Sequence, residues 1–177
     1  EFVPGATSWA SFSLMQTEED IIGDFYYDEN GIREEPGYYP RPTDQRFMVG
    51  VYFRDYFPRN PDWKVHLNLL YGSGLPFSPP TIDRYDQVFR MPSYKRVDIG
   101  LSKVLKKEET MLKEGNPFRF FRSIWISAEI FNLLGVKNTA SYTWIKTVSS
   151  QAYAPAAFAV PNYLTGRRFN VKLTTHF

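Results

Sequence analysis

His66 and His176 are the side chains of this sequence best suited to move a proton or hold a metal near neutral pH. They stand 110 positions apart in period-two segments, and neither has a second histidine at metal-ligand spacing. His66 is flanked by Lys64 and Asn68, so a solvated wall residue is the expected role. The run Tyr26-Tyr27-Asp28-Glu29-Asn30-Gly31 resembles the first half of an acidic calcium loop. It lacks the glutamate such a loop needs near its twelfth position, and a plain turn is expected. A hydrolase would need a nucleophile, a base and an orienting group converging on one place. Serines are plentiful, but no G-x-S-x-G elbow occurs and neither histidine is adjacent to a matching serine and acid. Cysteine is missing from the sequence, which removes disulfides, thiolate nucleophiles and Cys-ligated metals together. The expectation is a protein that is not an enzyme and uses no cofactor.

The elements that carry these residues read with period two, the signature of half-buried strands. In QRFMVGVYFRDYF, Phe47, Val49, Val51, Phe53 and Phe57 share a face, with Asp55 the exception. In DWKVHLNLLYGSG, Trp63, Val65, Leu67, Leu69 and Tyr71 oppose Lys64, His66, Asn68 and Leu70. YKRVDIGLSKV sets Val97, Ile99 and Leu101 against Arg96, Asp98, Gly100 and Ser102; RSIWISAEIFN sets Ile124, Ile126, Ala128 and Ile130 against Trp125, Ser127 and Glu129. In RFNVKLTTHF, Phe169, Val171, Leu173, Thr175 and Phe177 oppose Asn170 and Lys172. The opening ATSWASFSLMQTEED alternates less cleanly, with Ala10, Phe12 and Leu14 on its apolar side. Six antiparallel strands in an up-and-down meander are predicted. Long connections at about residues 19–44, 72–93 and 135–164 alternate with shorter turns around PRNPD and KEGNP.

Composition narrows what such a meander could be. The 177 residues are 43% hydrophobic, with mean hydropathy −0.38 and formal charge +2, so the chain is neither disordered by composition nor a bundle of membrane helices. The most apolar stretch, YAPAAFAVPNYL, holds two prolines and falls short of the roughly 18–20 residues a spanning helix needs. With 21 basic against 19 acidic residues, no electrostatic footprint for nucleic acid is present and none is expected as a partner. The opening residues show no initiator Met and no charged-then-apolar leader, and the chain is read as a piece of a larger protein.

Aromatic residues make up 18% of the chain, which suits β structure and above all membrane barrels, whose aromatic girdles sit at both interfaces. One-sided apolar alternation is also what a soluble β-sandwich shows, where that side packs on a second sheet. The bands here are four or five residues long with aromatic ends. Trp63 and Tyr71 lie eight residues apart, roughly 26 Å at about 3.3 Å per residue, and strand tilt brings this close to the roughly 25 Å apolar band of outer-membrane barrels. On that reading Trp63, Val65, Leu67, Leu69, Tyr71, Ile124, Ile126 and Val171 face lipid, while Lys64, His66, Asn68, Asp98, Ser102, Glu129, Asn170 and Lys172 face an enclosed space. The aromatic loop residues Tyr26, Tyr27, Tyr38, Tyr39, Tyr142, Trp144 and Tyr153 are candidates for ligand contact, because rigid rings supply area at low entropic cost. Mutual packing of the loops is the plainer role for the same residues.

The segments LNLLYGSGLPFSPP, YKRVDIGLSKV, WISAEIFNLLGVKNTASYTWI and VPNYLTGRRFNVKLTTHF together resemble the carboxyl-terminal barrel strands of TonB-dependent outer-membrane receptors, in particular those of Bacteroidetes-type bacteria. The resemblance covers the chain from about Tyr39 onward. It implies the last six or so strands of a plugged transmembrane barrel of about 22 strands, in the outer membrane of a Gram-negative bacterium. The implied activity is energy-coupled uptake of a scarce nutrient whose class stays open: siderophore, vitamin, glycan or peptide. The implied partners are the remaining barrel and plug, the TonB energy-coupling complex acting through the plug region, the barrel-assembly machinery and outer-membrane lipid. Phe177 is implied to be an assembly signal. Residues 1–177 contain neither plug nor coupling segment, and six strands cannot close a barrel when the smallest common one has eight. A passive porin-like barrel and a soluble β-sandwich binding module are the alternatives.

Overall fold

The structure, a computed structural model, describes residues 7–80, 82–86, 89–146 and 157–177. Six strands carry the architecture: β1 (Thr7–Leu14), β2 (Phe47–Phe57), β3 (Asn60–Gly72), β4 (Tyr94–Lys106), β5 (Ser123–Phe131) and β6 (Arg168–His176). They form a single sheet in chain order, each antiparallel to the next, with β1 and β6 at its two edges. The all-β antiparallel meander is as the alternation predicts. The sheet itself is open.

Register explains why the two-residue period matters. The pairs Phe12↔Val49, Val51↔Leu69, Phe53↔Leu67, Leu67↔Ile99, Val65↔Leu101, Leu101↔Ala128, Ile126↔Leu173 and Ala128↔Val171 carry one apolar face across all six strands. Since opposite residues share a side and a one-residue slip would invert it, this register is strongly specified. Ends of the face carry aromatic and lysine residues: Tyr71 stacks on Phe47 at 5.5 Å with Lys95 Nζ 5.9 Å away, and Lys103 Nζ sits 5.0 Å from the Trp63 ring. Such lysines lay their stems on apolar surface and lift the charge clear of it.

No second layer of described residues covers this face. Val171 is 72% exposed and Phe12 64%, and the buried apolar side chains among the described residues are Tyr39, Pro76, Val104 and Ile124. The chain exposes 13236 Å², against about 8900 Å² for a compact water-soluble monomer of this mass. Ile124 shares the apolar side by register but is covered. Opposite it, past a bulge between Val104 and Lys106, Lys106 reaches the carbonyls of Arg119 and Phe121 and draws that segment across the end of the sheet.

Connections differ between the two ends. At one end β2 and β3 are joined by the two-residue turn Pro58–Arg59, and β4 and β5 by 107–122, which includes the 3-10 turn Pro117–Phe120 capped by Asn116 Oδ1 on the Phe118 amide at 2.9 Å. Phe177 packs there on Phe121 at 5.0 Å. At the other end lie 15–46, 73–93 and 132–167. The last is more ordered than the loop expected there, since Thr139–Lys146 and Ala157–Tyr163 pair as a hairpin. Short pairs also form within 15–46 (Glu18–Glu19 with Tyr39–Pro40, Tyr26–Tyr27 with Arg33–Glu34) and 73–93 (Pro76–Phe77 with Phe89–Arg90).

Candidate functional site

The sheet curls toward its polar side. Residues from every strand, from Trp9 on β1 to His176 on β6, line one hollow of about 620 Å³, and all of them belong to the polar face. Lys64, His66, Asn68, Asp98, Ser102, Glu129 and Lys172 line it; Asn170 stands in the same rows, paired with Glu129. A soluble sheet curls around its oily side to bury it. This one does the reverse.

Two glycines make the rows fit. Gly100 faces His66 across β3 and β4, and a Cβ there would stand 2.0 Å from the imidazole Cε1, so the ring lies flat on the space glycine leaves. Gly50 receives the Trp9 ring in the same manner, 3.2 Å from where a Cβ would be, and Trp9 stacks on Tyr52 at 6.0 Å. Seated over Gly100, His66 places Nε2 3.5 Å from Glu129 Oε1, while Asn170 Nδ2 donates to Glu129 Oε2 at 2.9 Å. The hydroxyls of Ser102 and Ser127 bond to each other at 2.8 Å rather than to His66. The arrangement joins β3, β5 and β6 and offers no activated nucleophile.

Asp98 is the wall's deepest charge. Arg96 Nε donates to both its oxygens at 2.8 and 3.0 Å, and the Asn132 amide donates to Oδ1 at 2.8 Å. Asn132 has φ 52°, a left-handed conformation that asparagine tolerates, and its side chain closes the turn by bonding the carbonyl and amide of Val136. Nearby, Asn138 pairs with both backbone groups of Lys95 at 2.8 Å, as a strand residue would. Sequence reasoning did not single out Asn132 or Asn138. Their signal was present in FNLLG and VKNT, where a polar amide stands directly after one strand, as Asn132 does, or directly before the next, as Asn138 does. Lower on the wall, Lys64 Nζ lies between the rings of Trp125 and Tyr56, at 3.9 and 4.4 Å.

At the long-loop end, a fully buried carboxylate ties the loops together. Asp44 accepts from the Thr17 amide at 2.9 Å, from Arg46 Nε at 2.9 Å and from Arg90, and Arg90 also bonds the carbonyls of Asp44 and Gly74. Burial pushes its carboxyl up, but Arg90, the Thr17 amide and Arg46 together outweigh that and hold it below the usual range. Asp28 spends its oxygens on the amides of Asn30 and Ile32 and on the Asn30 side chain, which closes a turn with Gly31 at φ 77°. These bonds, led by the Ile32 amide, lower its pKa. Among the described residues no three His, Cys, Asp or Glu side chains are grouped to hold a metal.

The loop aromatics are placed as follows. Tyr39 is buried, its hydroxyl donating to Asp24 at 3.0 Å; Tyr26 donates to Glu34 at 2.7 Å. Both rings pack on Tyr85, at 6.4 and 5.7 Å, and the Tyr85 hydroxyl, bonded to Asp83 and partly buried, is pushed up to about 12. Tyr142 stacks on Phe77 at 4.6 Å with Trp144 6.4 Å from the same ring, so the hairpin leans on 73–93. Tyr27 and Tyr38 are exposed. Tyr153 lies outside the described residues.

No protein-family model matches this chain, and no curated protein or solved structure matches it.

Proposed function

We propose that the chain is part of the wall of a large transmembrane β-barrel in the outer membrane of a Gram-negative bacterium, and that the assembled protein is a TonB-dependent receptor taking up a scarce nutrient. One observation carries the membrane reading: the apolar face is the convex, uncovered one, while the concave face is polar and charged. Lipid is the medium that rewards this inversion, since it takes an apolar exterior and leaves the interior for water or protein. The spacing of Trp63 from Tyr71 suits a hydrocarbon core, and Lys95 and Lys103 sit where a membrane interface would be. No described helix is long and apolar enough to cross a membrane, which says nothing against crossing by strands.

Two open edges require further strands, because unpaired backbone groups in hydrocarbon cost several kcal/mol each. Six strands in a barrel of about 22 would be roughly a quarter of the wall. The uptake role and the number of strands come from the resemblance of RVDIGLSK, EIFNLLG and YLTGRRFN to that receptor family. Against a soluble sandwich module weighs the exposure of Val171, Leu173 and Phe169 with no layer over them. The separation of receptor from passive porin is an energy question. Cells carrying the intact protein, offered labelled siderophore, vitamin, oligosaccharide or peptide, should lose uptake of one of these on deletion of the gene and also on collapse of the inner-membrane proton gradient. Uptake that survives the collapse would identify a passive pore instead.

A further inference from the structure

The connection 107–122 does not hang free from the end of the sheet. Its 3-10 turn Pro117–Phe120 crosses the convex side and covers Ile124, two residues beyond Ile126, which shares a row with Lys103 and Trp63. Two residues are roughly 7 Å along the strand. The turn therefore lies just outside the Trp63 row, where the apolar band ends and a membrane interface would begin.

This turn hides its backbone and shows its rings. The Phe118 amide donates to Asn116 Oδ1 at 2.9 Å, the Arg119 amide to the Asn116 carbonyl at 3.0 Å, the Phe121 amide to the Phe118 carbonyl at 3.3 Å and the Arg122 amide to the His176 carbonyl at 2.6 Å. Lys106, itself buried, spends its ammonium on the carbonyls of Arg119 and Phe121, and Pro117 has no amide to satisfy. Phe120, by contrast, is 83% exposed, Phe177 80% and Phe118 54%, with Phe177 packed on Phe121. A turn in water can leave its backbone to the solvent and loses by displaying three rings. A turn against lipid needs its backbone satisfied internally, and aromatic side chains are favoured at the headgroup level. Arg119 stands exposed between Phe118 and Phe120, its guanidinium 3.9 Å from Glu114, on a stem long enough to reach a phosphate.

We propose that Pro117–Phe121 is an interfacial anchor lying on the inner leaflet of the outer membrane, with Phe118, Phe120 and Phe177 buried at the boundary between phospholipid headgroups and acyl chains. This rests on the barrel reading, which supplies the lipid and, through the shorter connections, the periplasmic side. It adds an attachment that the strands do not make: a connection folded back on the outer wall, held there by Lys106 and by the Phe121–Phe177 contact. Insertion to the headgroup–acyl boundary is the depth at which interfacial segments rest.

Nitroxide labels at 118 and at 120 of the intact protein, reconstituted in vesicles of phosphatidylethanolamine and phosphatidylglycerol, test it. A label at 59, in the two-residue turn at the same end, is the aqueous reference. The ratio of oxygen to water-soluble nickel-chelate collisions should be severalfold higher at 118 and 120 than at 59, and lower than at 67 on the apolar face. In a second variant, Phe120→Trp, the emission gained over the unsubstituted protein should be quenched by phospholipid brominated near the top of its acyl chains. The proposal is overturned if labels at 118 and 120 are as open to nickel as the one at 59, which would put the turn in water. It is equally overturned if both are shielded from oxygen and nickel alike, which would put protein over it. Where either result comes with a label at 67 that still favours oxygen, this inference alone falls; where 67 loses that preference too, the barrel reading falls with it.

Discussion

Replacing Leu67 by arginine puts a charge at the middle of the apolar face, four residues from Trp63 and four from Tyr71, in register with Phe53 on β2 and Ile99 on β4. Four residues are roughly 13 Å along the strand, so Leu67 would sit close to the bilayer midplane. There an arginine costs about 2–4 kcal/mol, falling to about 0–1 kcal/mol near the interface, which corresponds to roughly 30- to 700-fold in the folding equilibrium at midplane. Each arginine variant is referenced to alanine at the same position, so that lost contacts such as the Tyr71–Phe47 stack cancel. The series Val65, Leu67, Leu69 and Tyr71 should then give a cost that peaks at Leu67 and declines toward both ends, because charge burial in lipid depends on depth alone. Asn68→Arg, one residue along but on the concave face beside Asp98, should cost nothing by the same measure. The assay is guanidinium unfolding of the intact protein in phospholipid vesicles, read by tryptophan fluorescence. A flat profile over the four positions, or an Asn68→Arg cost equal to that of Leu67→Arg, would refute the reasoning.

Gly100→Val should destabilise by about 1–3 kcal/mol through overpacking, because its side chain would occupy the place of the His66 ring; thermal melting should show most of the loss recovered by adding His66→Ala, and no recovery would mean the two do not compete. Asp44→Asn should weaken the rim by about 2 kcal/mol, since its arginine partners are partly exposed and screened, seen as faster proteolysis within 15–46 and 73–93. Its carboxyl is held low, so that stabilisation should be complete above the unfolded carboxyl range near pH 4 and fade as pH falls through the lower folded value; loss already at pH 6 would contradict this. Phe77→Ala should free the hairpin from 73–93, raising amide hydrogen exchange at Tyr142 and Trp144 while leaving Leu67 and Ile99 unchanged; equal change at both would indicate global loosening instead.

The sheet was legible because its strands have two faces of different polarity. The pattern TrpXValXLeuXLeuXTyr on β3 has one register that keeps apolar side chains together, and the neighbouring strands repeat the condition, so element type, order and facing all follow from period two. Most of the polar wall was legible for the same reason. Ile124 was not, because a bulge and the reach of Lys106 cover it, and neither leaves a mark on alternation. The hairpin Thr139–Lys146 was read as loop, since its apolar and polar residues alternate weakly and Pro161 interrupts the partner strand. The Asp44 knot joins residues 17, 44, 46 and 90 through side-chain bonds between loops, and local sequence carries no signal for such long-range pairing. The direction in which the sheet curls was expected from the length of the aromatic-ended bands and from the family resemblance, and the period itself does not carry it. Alternation says that the faces differ, not which of them is concave.

Spin labels placed one at a time from position 64 to 71 in the intact protein, reconstituted in vesicles, test the central claim most directly. Paramagnetic accessibility should alternate with period two: labels at 65, 67 and 69 should favour dissolved oxygen, which partitions into lipid, and those at 64, 66 and 68 should not. Labels at 65, 67 and 69 that are immobile and shielded from oxygen would place a layer of protein over the apolar face and contradict the account.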